Sequence, residues 1–269
     1  MPTEGFQGAI FDVDGVLVDS PHERAWKESL RELMEGEWAD IRDRSEWSDE
    51  RFTPEVYERV LSGKPRMSGA LAALEYFKVP DAPDRVDAYA AHKQRKLVQL
   101  IEAREFHAYP DALAFVLAVR AAGIPTAAAS SSKNADRFLS QIRLDTFAQQ
   151  EGLTCDFIRP GLNLRDFFDA DLSGRDLAHG KPDPEIFLTA AAELGVQPEQ
   201  CFVVEDAVSG VQAAKAGRMA ALGVARGDDR ELLVGAHADL VVTSLDEVDV
   251  AGLGRHELTR RREQVGRRG

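Results

Sequence analysis

The sequence predicts an α/β fold: a doubly wound parallel sheet whose first strand is followed by an inserted block of helices. Three observations predict it. From Pro110 onward short apolar runs alternate with helical periodicities, the pattern of parallel βαβ units with helices on both faces. Residues 21 to 107, by contrast, carry helical periodicity alone. Finally, three polar clusters, Asp12/Asp14, Ser130 to Asn134 and Glu205/Asp206, each directly follow a short apolar run. In an open parallel sheet such positions meet at the carboxyl edge, where ligands bind.

Taken in order, Gly8 to Phe11 reads as a buried strand ending in the polar turn Asp12-Val13-Asp14-Gly15. Helices are expected over Pro21 to Met34, Pro54 to Leu61, Met67 to Phe77 and Asp84 to Arg104, with no strand among them. The second stretch opens with a helix from Pro110 to Ala122, closed by Gly123, and a strand from Ile124 to Ala129 that runs into Ser130-Ser131-Ser132. Residues 149 to 168 form a poorly periodic excursion, read as surface. A helix from Pro184 to Leu194, a strand from Cys201 to Val204, a helix from Ser209 to Ala216 and strands over Met219 to Val224 and Ala238 to Thr243 complete the pattern. The expected division is a core of residues 1–20 and 108–269 interrupted by a helical domain, 21–107. The last fifteen residues hold six Arg against two Glu and are expected to form a solvated, frayed helix.

Composition bounds the function. The chain has 269 residues, 44% hydrophobic and 29% charged, as in an ordinary globular protein. Its net charge of −13 speaks against nucleic acid or an anionic membrane as partner. Cys155 and Cys201 are too few for a disulfide framework, and neither a secretory start nor an uninterrupted apolar span is present. The expectation is a cytoplasmic protein, a monomer or small homo-oligomer.

The chemistry sits in the polar clusters. Asp12 and Asp14, two residues apart at a strand end, point to the same side. Gathered with Glu205 and Asp206 they repel strongly unless a cation neutralises them, and an all-oxygen donor set suits Mg2+. Zinc is not expected, because the six His and two Cys show no paired ligand spacing. Each cluster alone has a plainer reading. Asp-Gly is a common turn, and Ser130 to Ser132 could cap the next helix. Lys181, in Gly180-Lys181-Pro182, could be a solvated loop residue, and it is no Walker A lysine because Pro follows it. Glu205-Asp206-Ala207 could be a solvated turn before a helix capped by Ser209. Their joint occurrence in this order points to one site.

As an ordered set, DVDGVLVDS, AAASSSKN, GKPDPEIF and VVEDAVSGVQAAKAG resemble the haloacid dehalogenase superfamily, specifically its phosphoryl-transferring members. The resemblance implies a Rossmann-like core with an α-helical cap. It implies that Asp12 is the nucleophile and Asp14 the general acid/base, that Ser130 and Lys181 hold the transferring phosphoryl group, and that Asp12, Asp14 through its carbonyl, Glu205 and Asp206 surround Mg2+. Dehalogenation is rejected, since that branch does without the second aspartate.

Within the helical block, His22-Glu23-Arg24-Ala25-Trp26 and Ser62-Gly63-Lys64-Pro65-Arg66 are similar to the β-phosphoglucomutase family, although DVDG stands closer to His22 than that likeness leads one to expect. By it Arg66, Ser132, Lys133 and Asn134, with Ser131 beside them, would hold the distal phosphate of a sugar bisphosphate. His22 would couple cap closure to proton transfer. The expected activity is interconversion of β-D-glucose 1-phosphate and glucose 6-phosphate through an aspartyl-phosphate. A phosphatase of small sugar phosphates is the alternative, and a silent phosphate-binding module a third reading, whose signature would be loss of Asp12, Asp14 or Lys181.

Overall fold

A computed structural model describes residues 5–62 and 64–262. In chain order the elements are strands β1 (Gly8–Phe11) and β2 (Val18–Asp19), helices α1 (His22–Glu35), α2 (Pro54–Val60), α3 (Arg66–Tyr76) and α4 (Ala82–Glu102), then β3 (His107–Ala108), α5 (Pro110–Ala121), β4 (Thr126–Ala128), α6 (Ala135–Gln141), α7 (Leu144–Gln150), β5 (Ala170–Asp171), α8 (Glu185–Leu194), β6 (Cys201–Glu205), α9 (Val208–Ala216), β7 (Ala220–Val224), α10 (Arg230–Gly235), β8 (Leu240–Val242) and α11 (Val250–Leu253). They fall into two compact units: one holds the described residues up to Asp19 and from His107 on, the other Ser20–Phe106.

The first unit is a six-stranded sheet in the order β5-β4-β1-β6-β7-β8, parallel throughout. Every residue of β1 and β6 is buried, which explains why these strands read as continuous apolar runs. Alternate residues serve opposite faces. Ile10 and Val203 join a cluster with Phe187 of α8, Val211 of α9 and Leu233 of α10, while on the other face Phe115 of α5 meets Phe11 and Phe202 with ring centroids 6.1 and 6.4 Å apart. At roughly 1.5–3 kcal/mol per buried large side chain, both faces contribute to holding β1 central. Both edge strands are short, which limits pairing with other chains.

Besides helices α7, α10 and α11, for which the periodicity raised no expectation, three features depart from the sequence expectations. β2 and β3 form an antiparallel ribbon, Val18 opposite Ala108 and Asp19 opposite His107, just where the chain leaves and re-enters this unit. Two residues per strand are too few to show a period. The excursion after α7 is exposed over residues 151–154, but it then buries Leu162, Leu164 and Phe167 and delivers the edge strand β5. Arg120 fastens it, donating to the Phe167 carbonyl at 2.7 Å and to Asp169 at 2.8 Å. The tail is not helical over residues 257–262; Arg260 bridges to Val248 and donates to the Val241 carbonyl at 2.6 Å. Residues 263–269 of the Arg-rich tail lie outside the described residues.

The second unit packs α1 to α4 around Trp26, Leu30, Trp38, Phe52, Phe77 and Tyr89. Tyr89 lies edge-on to Trp26 at 5.0 Å and donates to the Trp26 carbonyl at 3.0 Å, so its buried hydroxyl is satisfied. Among the described residues no helix is long and apolar enough to cross a membrane.

Candidate active site

Strand register builds the site. Phe11 pairs with Ala128 on one side and Val204 on the other, so the next residues, Asp12, Ala129 and Glu205, emerge together at the carboxyl edge, with Ser130 one step further. The Asp12 N–H donates to the Val204 carbonyl at 3.0 Å, extending the ladder by one bond. Asp12, Ser130 and Glu205 are only 6%, 3% and 1% exposed, which removes the solvated-turn reading of Glu205.

Lys181 joins these segments. Its ammonium donates to Asp12 at 2.5 Å and to Glu205, and lies 4.9 Å from the centroid of the Phe187 ring. It is a buried cation between two buried carboxylates, not a solvated loop residue. Burial acts against its charge, yet Asp12 and Glu205 outweigh that and raise its pKa. Glu205 also accepts from the N–H groups of Asp206 and Ala207, at 3.1 and 3.0 Å. Ser209, expected to cap the helix, lies inside α9, whose N-cap residue is Ala207. Asp14 accepts from the Ser130 hydroxyl at 3.3 Å. Ser130 does not cap α6; its oxygen accepts from the Ser132 N–H at 3.0 Å, and the residue preceding α6 is the buried Asn134.

The donor set fits a hard divalent cation. Burial drives the Asp12 carboxyl up to about 7, with Lys181 pulling it down and Glu205 and Asp14 pushing it up. Asp206 is raised well above the ordinary carboxylate range by burial, then by the charges of Glu205 and Asp12. One ammonium does not balance this cluster. Gly15, at φ +83°, leaves room for it: a Cβ there would overlap the Asp206 carboxylate.

The expected distal-phosphate residues are less unified. Ser131 is exposed and Ser132 accepts from the Asn134 N–H at 3.3 Å. Lys133 is turned to Asp176 at 2.5 Å and to the Gly174 carbonyl at 2.9 Å, a solvent-facing pair of small energetic weight. Arg66 belongs to the second unit, where it is exposed and donates to Gln94 at 2.7 Å; Gly63 of its loop lies outside the described residues. His22, also in that unit, starts α1, with its Nδ1 2.9 Å from the Lys93 ammonium.

Sequence reasoning missed Lys93, which is 3% exposed and 4.9 Å from the Trp26 ring centroid. Its signal was spacing: Lys93 stands in the buried stripe Tyr89, Ala90, Leu97, Leu100 of α4, where a lysine needs a reason. His179, Asp183 and Glu185 also come together, with ligand-type atoms within 4.8 Å. There Glu185 accepts from the N–H groups of Ala178 and His179 at the start of α8.

A carboxylate cluster with one buried lysine at the carboxyl edge of a doubly wound parallel sheet defines the site of an α/β enzyme. The model of the haloacid dehalogenase-like hydrolases matches residues 6–218, and the chain belongs to that family, in its β-phosphoglucomutase-like branch. A β-phosphoglucomutase of Mycobacterium bovis is 32% identical over 91% of this chain and 92% of its own. Hexitol phosphatase B of Escherichia coli is 30% identical over 91% and 95%. The crystal structure of β-phosphoglucomutase from Pyrococcus sp. strain ST 04 superposes with a TM-score of 0.66 at 28% identity, covering 91% of this chain and 96% of that one.

Proposed function

We propose that the protein is a Mg2+-dependent β-phosphoglucomutase acting on small phosphorylated sugars, with residues 21–107 as its specificity cap. The observation that carries the chemistry is the buried Lys181 ammonium held between Asp12 and Glu205 while Asp14 meets Ser130. Asp12 attacks phosphorus, the bond from phosphorus to the sugar oxygen breaks, and Asp14 gives that oxygen a proton. The phosphoryl group then rests on Asp12 until a second sugar hydroxyl, losing its proton to Asp14, takes it. Lys181 stays cationic and Ser130 supplies an O–H, both toward the phosphoryl oxygens. Mg2+, held by Asp12, the Asp14 carbonyl, Glu205 and Asp206, would neutralise charge on those oxygens. Arg66, Lys133, Ser132 and Asn134 are proposed to grip the distal phosphate, Arg66 as a bidentate fork. His22, with Lys93 beside its ring, is proposed to support proton transfer.

The similarity to β-phosphoglucomutases over most of both chains supports the mutase; that to hexitol phosphatase B supports a phosphatase as second reading. The test supplies β-glucose 1-phosphate, a trace of glucose 1,6-bisphosphate and Mg2+. Glucose 6-phosphate should greatly exceed free phosphate; predominant free phosphate sinks the mutase and leaves the phosphatase.

Gly210→Ala tests the metal set. Gly210 is buried in the first turns of α9, and a Cβ there would overlap the Glu205 carboxylate. Displacing Glu205 is expected to weaken Mg2+ activation roughly 10–100-fold, the range for disturbing a ligand's support. An unchanged half-saturating Mg2+ concentration would show that Glu205 has no part in holding the cation.

A further inference from the structure

We infer that Arg226 is a positioning residue for Asp14, acting through the turn that carries it; the inference rests on the acid/base reading of Asp14 above. Arg226 lies two residues past β7. Its Nε donates to the Gly15 carbonyl at 3.4 Å and its Nη2 to the Val16 carbonyl at 3.1 Å. Nη1 pairs with Asp111 at 2.8 Å, and the guanidinium lies 3.9 Å from the Tyr109 ring centroid. The two side chains of the ion pair are 18% and 11% exposed, so these bonds are poorly screened and stronger than their surface counterparts. Asp111 accepts in turn from the Ser244 hydroxyl at 3.1 Å and the Leu245 N–H at 2.8 Å. Four segments therefore meet at the Arg226–Asp111 pair: the turn after β1, the start of α5, the end of β7 and, through Asp111, the turn after β8.

The turn has reason to need such a brace. It doubles back on itself through Gly15 N–H to the Val18 carbonyl at 2.8 Å and Leu17 N–H to the Val13 carbonyl at 2.9 Å. Those bonds use other carbonyls, and the acceptors of Gly15 and Val16 are the ones that Arg226 takes. Gly15 is also the residue packed against Asp206. A shift of the turn would swing Asp14, one residue upstream of Gly15, away from the departing oxygen, and a misplacement of about 1 Å can cost ~10²-fold in rate. The planar fork of arginine serves two carbonyls and a carboxylate at once; lysine, a point charge, cannot.

The test uses leaving groups. p-Nitrophenyl phosphate loses a stabilised anion and gains little from an acid, whereas phenyl phosphate needs the Asp14 proton. Arg226→Lys keeps a cation beside Asp111 but loses the fork. It is expected to lower kcat/KM for phenyl phosphate about tenfold more than for p-nitrophenyl phosphate, part of the ~10²–10⁴ that a general acid supplies. Arg226→Ala should widen the gap further; if it fails to fold, Arg226→Lys decides alone. Equal losses on both substrates, or no loss, would overturn the inference, since a merely structural role lowers both together. Asp14→Asn runs in parallel and must show the same selectivity. If it does not, the acid reading of Asp14 has failed, and the two failures are told apart.

Discussion

Asp12→Asn is expected to lower turnover by roughly 10⁴–10⁶-fold, the scale on which removing a covalent nucleophile acts. The amide matches the carboxylate in shape and cannot attack phosphorus. The loss must come without loss of fold, and the electrostatics go further. With its pKa raised to about 7 by burial and then by neighbouring charge, Asp12 binds a proton more tightly folded than unfolded. In the metal-free protein its contribution is therefore fully favourable below the ordinary carboxylate value near 4 and is lost as pH rises toward about 7. Asparagine has no such titration, so without divalent cation the unfolding temperature of the variant should fall less than that of the parent as pH rises from about 4 toward about 7. Kinetics and calorimetry on one preparation check both. Residual turnover within tenfold of the parent would remove Asp12 from the nucleophile's role, and the same pH dependence of unfolding in both proteins would contradict the electrostatic account.

Lys181→Met is expected to cost stability as well as activity. It keeps the chain length and the packing on Phe187 but leaves Asp12 and Glu205, 6% and 1% exposed, facing each other without their shared cation. Removing one partner of a buried ion pair typically costs about 3–5 kcal/mol. A divalent cation can take over part of that neutralisation, so Mg2+ should raise the denaturant midpoint of the variant more than that of the parent. Activity should not return with it, because the metal does not replace an N–H donor to the phosphoryl oxygens. Equal Mg2+ effects on the two proteins would mean that Lys181 and the cation do not share the same carboxylates.

Much of this site was legible before any coordinate, for a physical reason. Asp12, Ser130 and Glu205 each stand at the end of a short apolar run, and parallel strands starting from one edge must finish at the other, so chain order alone brings them together. Where the period failed, so did the reading. β5, two residues after an aperiodic excursion, and the β2–β3 ribbon carry too few residues to show alternation. Lys93 and Arg226 sit among charged neighbours, in HKQRK and ARGDDR, where a charge looks solvated; only the surrounding helices and turns bury them. Lys133, read as a phosphate ligand, has Asp176 within reach because the loop after β5 passes beside it.

The sequence by itself determined the doubly wound architecture, the helical insertion and the residues of the carboxylate cluster, because periodicity and turn chemistry are local properties of the chain. The tertiary structure alone decided how those charges are paired: Lys181 between Asp12 and Glu205, Lys93 against His22, Arg226 across the turn after Asp14. Such pairings join residues 24 to 211 positions apart. They depend on burial and on distances of a few ångström, and neither quantity is written in a one-dimensional pattern.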